Sequence, residues 1–380
     1  MKQNKNILKN PGVQSLLTSL LCILLGLFIG YLVLLLINPT GAWGAITNVM
    51  KNFLTYSSAK AQLKYLGNTL VRTAPLLMCS LSVLFAYKVG LFNIGAAGQY
   101  VAGACACLYA ALYLHWHWLP CMLLAIAAGA LLGVISGLLK SSFNVSEVIS
   151  GIMLNWIALY TTNMLLTNVK EATSPYTYQL KAEGPQAILP QISLSKLLSG
   201  NQYVTIAIPI AIVCAVVIWV VLSKTLFGYE LKATGNNPNA AKYCGMAEKR
   251  NIILTLAIGG ALAGLGASLL YQTGYEQWQC TYSSVPSMGF NGIAAAFLGG
   301  LSPIGSIFAS FFIQHITAGG AYVDKSLYCS QISDLISAII IYLCSFVLFF
   351  KTVLNSWIAR HEEKKARKAA QAAGKGGEQA

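Results

Sequence analysis

Long apolar stretches separated by short polar connections recur along nearly the whole chain. A helix needs about 20 mainly apolar residues to cross the hydrocarbon core of a bilayer. The pattern therefore predicts an all-α polytopic membrane protein with about ten transmembrane helices. We place these spans at 16–37, 68–87, 93–114, 119–139, 146–168, 203–223, 251–271, 289–301, 304–320 and 331–351.

The orientation of the spans follows from the basic residues. The first apolar run lacks a small-residue cleavage site, so we interpret it as a span and not as a cleaved signal. Ten spans place both termini on one side. The Lys-rich N-terminus, Lys88, Lys140 and the basic segment 224–250 then share that side, which the positive-inside rule assigns to the cytoplasm. Three lysines in the outward segment 38–67 fit this orientation poorly.

Composition agrees with a membrane protein. Charged residues make up 9% of the chain, against about 25% in soluble domains. The net charge of +14 lies mainly in tails and loops, where orientation and anionic lipids explain it, so we expect a lipid bilayer and no nucleic acid as partner. Residues 1–15 are expected to form a cytoplasmic tail, 16–351 the transmembrane domain and 352–380 a basic cytoplasmic tail.

Glycine spacing predicts where helices pack closely. Gly129, Gly133 and Gly137 recur every fourth residue, and so do Gly260 and Gly264. Small residues at this spacing let the backbones of two membrane helices approach each other. We therefore expect packing, and no direct function, at these positions.

A helix break and a faint repeat point to a transport path. Ser302-Pro303 separates two short spans, and broken helices at membrane depth line cavities or pack within protein. Residues 92–97 (FNIGAA) also resemble residues 290–295 (FNGIAA), with five spans between the two copies. This arrangement predicts an inverted repeat with a path at the interface of its halves.

Enzyme chemistry finds little support in the sequence. The chain has no phosphate-binding P-loop and no HExxH motif, so we expect a transport subunit without a cofactor of its own. The four histidines, at positions 115, 117, 315 and 361, do not suggest a metal site. The acids near spans are Glu147, which suits the capped N-terminus of a helix after Ser146, and Asp334. Their scarcity argues against ion-coupled transport, and Arg72 is expected to snorkel outward.

Most of the ten cysteines lie inside apolar runs, where they are expected to act as small buried hydrophobes. Cys280 and Cys329 fall in predicted outer loops. The sequence leaves open whether they form a disulfide.

Neutral polar side chains inside spans are candidates for a solute path. A buried amide costs a few kcal/mol unless it has a partner, and that partner is either another helix or a polar solute. Trp156 and Tyr160, four residues apart, present an aromatic face that suits a planar heterocycle, although packing explains them equally well. The amides considered are Asn93, Gln99, Asn155, Asn163, Asn291 and Gln314. The predicted transport-path residues are Asn93, Gln99, Asn155, Trp156 and Asn291.

The polar segment 224–250 carries its own helix signals. Asn236-Asn237-Pro238 is typical of a helix start, and Gly245 of a helix end. Such a helix is either a solvated connection or a docking surface for a separate protein that drives transport. The residues alone do not decide between the two.

Four ordered segments resemble the permease subunits of bacterial ATP-binding cassette (ABC) importers. They are 90–99 (GLFNIGAAGQ), 147–155 (EVISGIMLN), 228–238 (GYELKATGNNP) and 289–305, which contains GFNGIA and SPIG. The resemblance covers roughly residues 60–350 and is nearest to the nucleoside-type branch of the sugar/branched-chain amino-acid permease group. The chain departs from that pattern at Ala97, usually Glu, and at Asn291, usually Asp.

The resemblance implies a type II importer fold in a bacterial plasma membrane. It also implies three protein partners: a cytoplasmic ATP-binding subunit, a second permease subunit that is commonly a paralogue, and an extracytoplasmic substrate-binding lipoprotein. ATP would be bound by the partner ATPase. The positions matching the coupling loop are Gly228, Glu230, Lys232, Gly235, Asn237, Pro238, Ala240, Ala241 and Gly245.

The leading hypothesis is a permease subunit that imports purine or related nucleosides. The alternatives are the same machine importing riboflavin or a simple sugar, and an ion-coupled secondary transporter that works alone. An intramembrane enzyme is disfavoured because the chain lacks a nucleophile, metal or acid–base set.

Overall fold

The computed structural model describes residues 11–329, together with isolated positions between 335 and 360. The described chain is helical, and its β structure is limited to isolated bridges. The helices are α1 (Pro11–Ile37), α2 (Ala42–Lys51), α3 (Ala59–Lys88), α4 (Ala96–Leu112), α5 (Trp118–Phe143), α6 (Glu147–Leu166), α7 (Leu180–Glu183), α8 (Leu194–Leu197), α9 (Ala207–Lys224), α10 (Leu226–Asn236), α11 (Pro238–Tyr243), α12 (Glu248–Tyr271), α13 (Met288–Leu298) and α14 (Pro303–Gly319).

The predicted all-α membrane class is confirmed. Within the described residues, seven helices are long and apolar enough to cross a membrane, and α4 and α13 are shorter apolar helices. Each of the first nine predicted spans coincides with one of these helices. The first ten residues of the predicted N-terminal tail 1–15, and most of the tenth span and of the C-terminal tail, lie outside the described residues, whereas residues 11–15 belong to α1. The inverted repeat stays a prediction.

The segment 38–67 contains more helix than its sequence suggested. It holds α2 and the first turns of α3, which begins nine residues before the predicted span. The buried side chains of α2 are Ala42, Ala45, Ile46 and Val49. This is the i, i+3, i+4, i+7 spacing of one helix face. With 10 residues, α2 is too short to be recognised as a membrane span. The face packs against α14.

The centre of the bundle is α3 with α12. The most apolar window of α3 is 89% buried, against 28% for the corresponding windows of α1, α5 and α9. The predicted glycine packing is confirmed between α5 and α12. A methyl group on Gly129 would lie 2.2 Å from the carbonyl oxygen of Gly260, and one on Gly133 would lie 2.1 Å from that of Leu256. Any larger side chain would push the two backbones apart.

The predicted break between the eighth and ninth spans is also present. Helix α13 ends at Leu298 and α14 begins at Pro303, with Ser302 accepting the Gly305 N–H at 3.5 Å. The cysteines Cys280 and Cys329 are both free, so they form no disulfide.

The bundle has two polar ends. The end that carries α10 and α11 also contains the α3–α4 turn and the α5–α6 connection. At the opposite end, the segment 169–202, which includes α7 and α8, packs on the connection between α12 and α13. Gln272 joins the two there, since its backbone carbonyl accepts from the Leu189 N–H at 2.9 Å and its side chain donates to Ala187 at 3.1 Å. We refer to these as the α11 end and the α7 end.

Candidate coupling surface and substrate-path residues

Three predicted path residues lie together where α4 begins. Asn93 precedes the helix, because the chain from Phe92 to Gly95 is not helical and α4 starts at Ala96. The Asn93 amide donates to the Ser82 hydroxyl of α3 at 3.0 Å and to Gln99 Oε1 at 2.9 Å. Asn93 and Gln99 are each 2% exposed.

Asn155 fastens α6 to the same place. Its Oδ1 accepts from the Gly98 N–H at 2.7 Å, and its Nδ2 donates to the carbonyl oxygen of Ile94 at 3.2 Å. We define the amide clamp as Ser82, Asn93, Gln99 and Asn155. Its side chains hold α3, α4 and α6 together, which favours packing over a wetted surface, and their role in the transport path stays a prediction.

The other two predicted path residues lie apart from the clamp. Trp156 is on the exposed face of α6, where its ring packs 6.1 Å from that of Tyr160. Asn291 is half-buried on α13. The substituted position Ala97 packs against α13, since a methyl group on Gly289 would lie 2.4 Å from the Ala97 Cα. A small residue at position 97 therefore suits the close approach of α4 and α13.

The two remaining amides considered, Asn163 and Gln314, differ in whether another part of the chain satisfies their hydrogen bonds. Asn163 accepts from the indole N–H of Trp278 and donates to the carbonyl oxygen of Tyr282, both at 2.9 Å. It thereby ties α6 to the α12–α13 connection. Gln314 is buried in α14, and its Nε2 finds no acceptor within the described part of the chain.

At the α11 end, helix α10 is seated on the α3–α4 turn. A methyl group on Gly235 would lie 2.3 Å from the carbonyl group of Val89, and Gly90 has a φ of +76°. Only glycine permits this contact, because the backbones touch and Gly90 adopts a left-handed conformation. Two of the segments that carry the family resemblance therefore meet in space.

Further bonds hold α10 in place. The Thr225 hydroxyl accepts from the Gly228 N–H at 3.1 Å and so caps the helix. Asn251 of α12 donates to the Thr234 hydroxyl at 2.9 Å. Arg250 and Glu230 are 3.8 Å apart in an exposed pair, and such pairs contribute little. Backbone contact and neutral hydrogen bonds therefore hold α10 against the bundle.

Helix α11 has the predicted start and stop. Asn237 Oδ1 accepts from the Ala240 N–H at 3.0 Å, Pro238 opens the first turn, and Gly245 has a φ of +81°. Ala241 is the buried residue of this short helix, whereas Tyr243 is 94% exposed. The nine predicted coupling positions thus comprise a fixed base on α10 and an exposed surface on α11.

A cavity of about 500 Å³ lies behind α11. It contains the ion pair between Lys140 and Glu147, at 2.9 Å. Helix α6 begins at Glu147 as predicted, but the Ser146 side chain makes no capping bond. The acid therefore neutralises a lysine of the preceding helix in addition to its place in the first turn. The lining residues are Val89, Gly90, Leu91, Lys140, Ser141, Ser142, Asn144, Glu147, Thr234, Pro238, Glu248 and Ile252.

The α7 end holds a charged group that the sequence did not suggest. Arg72 of α3 does not snorkel alone but pairs with Glu276 of the α12–α13 connection at 2.5 Å. Their side chains are 34% and 29% exposed. A lone arginine within an apolar span needs a partner. The sequence signal for this pair was Glu276, an acid five residues past the end of α12.

Comparison with known proteins gives the family. Residues 65–345 match the family model described as the permease component of branched-chain amino acid transport systems. The nucleoside ABC transporter permease protein NupB of Lactococcus lactis is 32% identical over 98% of this chain and 100% of its own length. The guanosine ABC transporter permease protein NupP of Bacillus subtilis is 34% identical over 86% of this chain and 92% of its own length.

A third relative bears on the range of solutes. The glucose ABC transporter permease protein TsgB13 of Haloferax volcanii is 28% identical over 88% of both chains. No solved structure matches the sequence. With its helical bundle and a family match over most of its length, the chain belongs to the family of permease components of branched-chain amino acid transport systems.

Proposed function

We propose that this chain is the membrane-spanning permease subunit of an ATP-driven importer whose solute is a nucleoside. The observation that carries the proposal is the full-length similarity to a nucleoside permease, together with a second relative that transports guanosine by its name. The glucose permease among the relatives keeps a simple sugar as the second candidate solute.

The α11 end supports the coupling role. An exposed six-residue helix on a base that is locked to the bundle transmits a push or a rotation to α3, α4 and α12. Because the chain carries no P-loop, the energy has to come from a separate ATP-binding subunit. We place the α11 end and both termini in the cytoplasm, in keeping with the positive-inside rule.

The remaining partners follow from the same assignment. A second permease subunit would complete the membrane path, and an extracytoplasmic substrate-binding lipoprotein would deliver the solute at the α7 end. The exposed aromatic and aliphatic face of α6 is available to lipid or to that second subunit.

Uptake measurements test the proposal. Cells that express the complete system are supplied with radiolabelled guanosine, adenosine, riboflavin or ribose, with an active or a catalytically dead ATPase. We expect guanosine and adenosine to accumulate only with the active ATPase. Uptake that persists with the dead ATPase would contradict the ATP-driven mechanism. Uptake of ribose or riboflavin alone would keep the mechanism and replace the solute.

A further inference from the structure

Five side chains from four parts of the chain meet at the α7 end. Arg72 comes from α3, Lys181 from α7, Tyr203 from the segment before α9, and Tyr275 and Glu276 from the α12–α13 connection. We call them the Arg72–Glu276 cluster. Each of these side chains contacts at least one other through a charge or an aromatic ring.

The contacts of the cluster run from one cation over two rings to a second cation. The Arg72 guanidinium lies 5.9 Å from the centre of the Tyr275 ring. Tyr275 meets Tyr203 edge to face at 5.1 Å, and the Lys181 Nζ lies 4.0 Å from the centre of the Tyr203 ring. Aromatic faces attract cations, and this preference accounts for the order of the groups.

Two donors in the cluster lack an acceptor. The Nζ of Lys181 and the Nε of Arg72 are shielded from solvent and make no hydrogen bond within the described residues. A buried polar atom without a partner is costly, and in a native protein it calls for an explanation such as a bound group. Burial also lowers the pKa of the Lys181 ammonium, which contacts the Tyr203 ring but makes no hydrogen bond within the described residues.

Both unpaired atoms are hydrogen-bond donors. The missing groups are acceptors, and flat aromatic rings stand beside them. The Glu276 carboxylate provides an acceptor next to the donors of Arg72. Guanine carries the acceptors O6 and N7 and a donor amine at N2. The acceptors and the amine of such a base therefore match the polarity of the cluster, and its flat ring suits contact with the neighbouring tyrosines.

We propose that the Arg72–Glu276 cluster is a binding site for the base of a purine nucleoside. Tyr275 and Tyr203 contact the ring, Arg72 and Lys181 donate to its acceptors, and Glu276 accepts from its amine. The inference rests on the proposed function, and it places first contact with the solute at the end opposite to α11.

Photolabelling tests the location directly. The purified complete transporter is irradiated with 8-azidoguanosine, and the labelled peptides are identified by mass spectrometry. We expect label within residues 272–283 or 200–206, and competition by unlabelled guanosine. Label confined to other parts of the chain, or label that guanosine does not displace, would overturn the assignment.

An aromatic substitution tests the contact with the ring. Loss of base–aromatic stacking raises the KM for guanosine about tenfold in Tyr275→Ala, with the maximal uptake rate little changed. Tyr113→Ala is the matched control, since Tyr113 is an exposed tyrosine at the end of α4 that stacks on Tyr109 outside the cluster. A lower maximal rate with an unchanged KM would show a structural role for Tyr275 and overturn the proposal.

The acid provides a test of specificity. Glu276→Gln keeps the size of the side chain and removes its charge, so the preference for guanosine over adenosine falls about tenfold. An equal loss for both nucleosides would mean that Glu276 serves only as the partner of Arg72. If the wild-type system imports no nucleoside, the proposed function fails. If it imports guanosine and Tyr275→Ala behaves like Tyr113→Ala, the binding site alone fails.

Discussion

The amide clamp and the Arg72–Glu276 cluster place polar side chains inside the same bundle in different ways. In the clamp, the amides of Asn93 and Asn155 bond to protein groups deep in the bundle, and the buried donor that lacks a partner among the described residues is the Gln99 Nε2. In the cluster, the ion pair is about one-third exposed and two donors remain unsatisfied. Amides that bond between helices specify how those helices pack, whereas charged donors that lack an acceptor beside a partly exposed ion pair indicate where another molecule binds.

The largest expected effect comes from breaking the clamp. Asn155→Leu leaves the Gly98 N–H and the Ile94 carbonyl oxygen without their side-chain partner, so we expect the free energy of unfolding to fall by about 2–4 kcal/mol. Detergent-purified protein titrated with sodium dodecyl sulfate provides the measurement. Asn291→Leu is the matched control, because that amide is half-buried and makes no hydrogen bond within the described residues. Equal losses in the two variants would remove the distinction between clamp and path.

A smaller change at the same contact sharpens the point. A methyl group on Gly98 would lie 2.6 Å from the Asn155 Oδ1 and 2.7 Å from its Cα. Gly98→Ala therefore has to separate α4 from α6, at a cost of about 1–3 kcal/mol. Gly44→Ala in α2 meets nothing within 4 Å and controls for the change of residue type. Wild-type stability in Gly98→Ala would show that the two helices are free to move apart.

Much of the bundle could be predicted from the sequence, because long apolar runs determine spans and glycine spacing determines close contacts. Helix α11 was likewise encoded locally, in Asn237, Pro238 and Gly245. The amides posed a different problem. Asn93 and Asn155 have the same side chain whether they bind a solute or another helix, and their partners are distant in sequence. The pairing of Arg72 with Glu276 needs the return of α12 beside α3, which no local pattern contains.

The ion pair of the cluster should contribute less than one bond of the clamp. Arg72 and Glu276 are about one-third exposed, and solvent screens such pairs, so a double-mutant cycle with Arg72→Met and Glu276→Gln should give a coupling of about 0.5–1 kcal/mol. The same cycle for Arg250 and Glu230, which are 3.8 Å apart and of which Arg250 is 63% exposed, should give a coupling near zero. If the coupling between Arg72 and Glu276 were as large as the loss of unfolding free energy in Asn155→Leu, the cluster would be a structural contact of the bundle.

The smallest expected effect concerns Lys181. Burial lowers the pKa of its ammonium in the folded protein below the ordinary value of 10.5. Between these two pKa values the unfolded chain holds more protons than the folded one, so the stability of the wild type rises as the pH increases towards 10.5. Lys181→Met removes this dependence, and its unfolding midpoint should exceed that of the wild type at neutral pH by an amount that shrinks near pH 10.5.

Thermal unfolding of the two proteins across this pH range measures the difference. Lys196→Met, at an exposed lysine of α8, controls for the change in net charge. If Lys181→Met were less stable than the wild type at neutral pH, the ammonium would have a stabilising partner. If guanosine raised the midpoint of the wild type but not of Lys181→Met, the unmet bond of Lys181 would be the one that the solute completes. The contrast with the clamp would then be one between a group that the fold satisfies and a group that it leaves for the ligand.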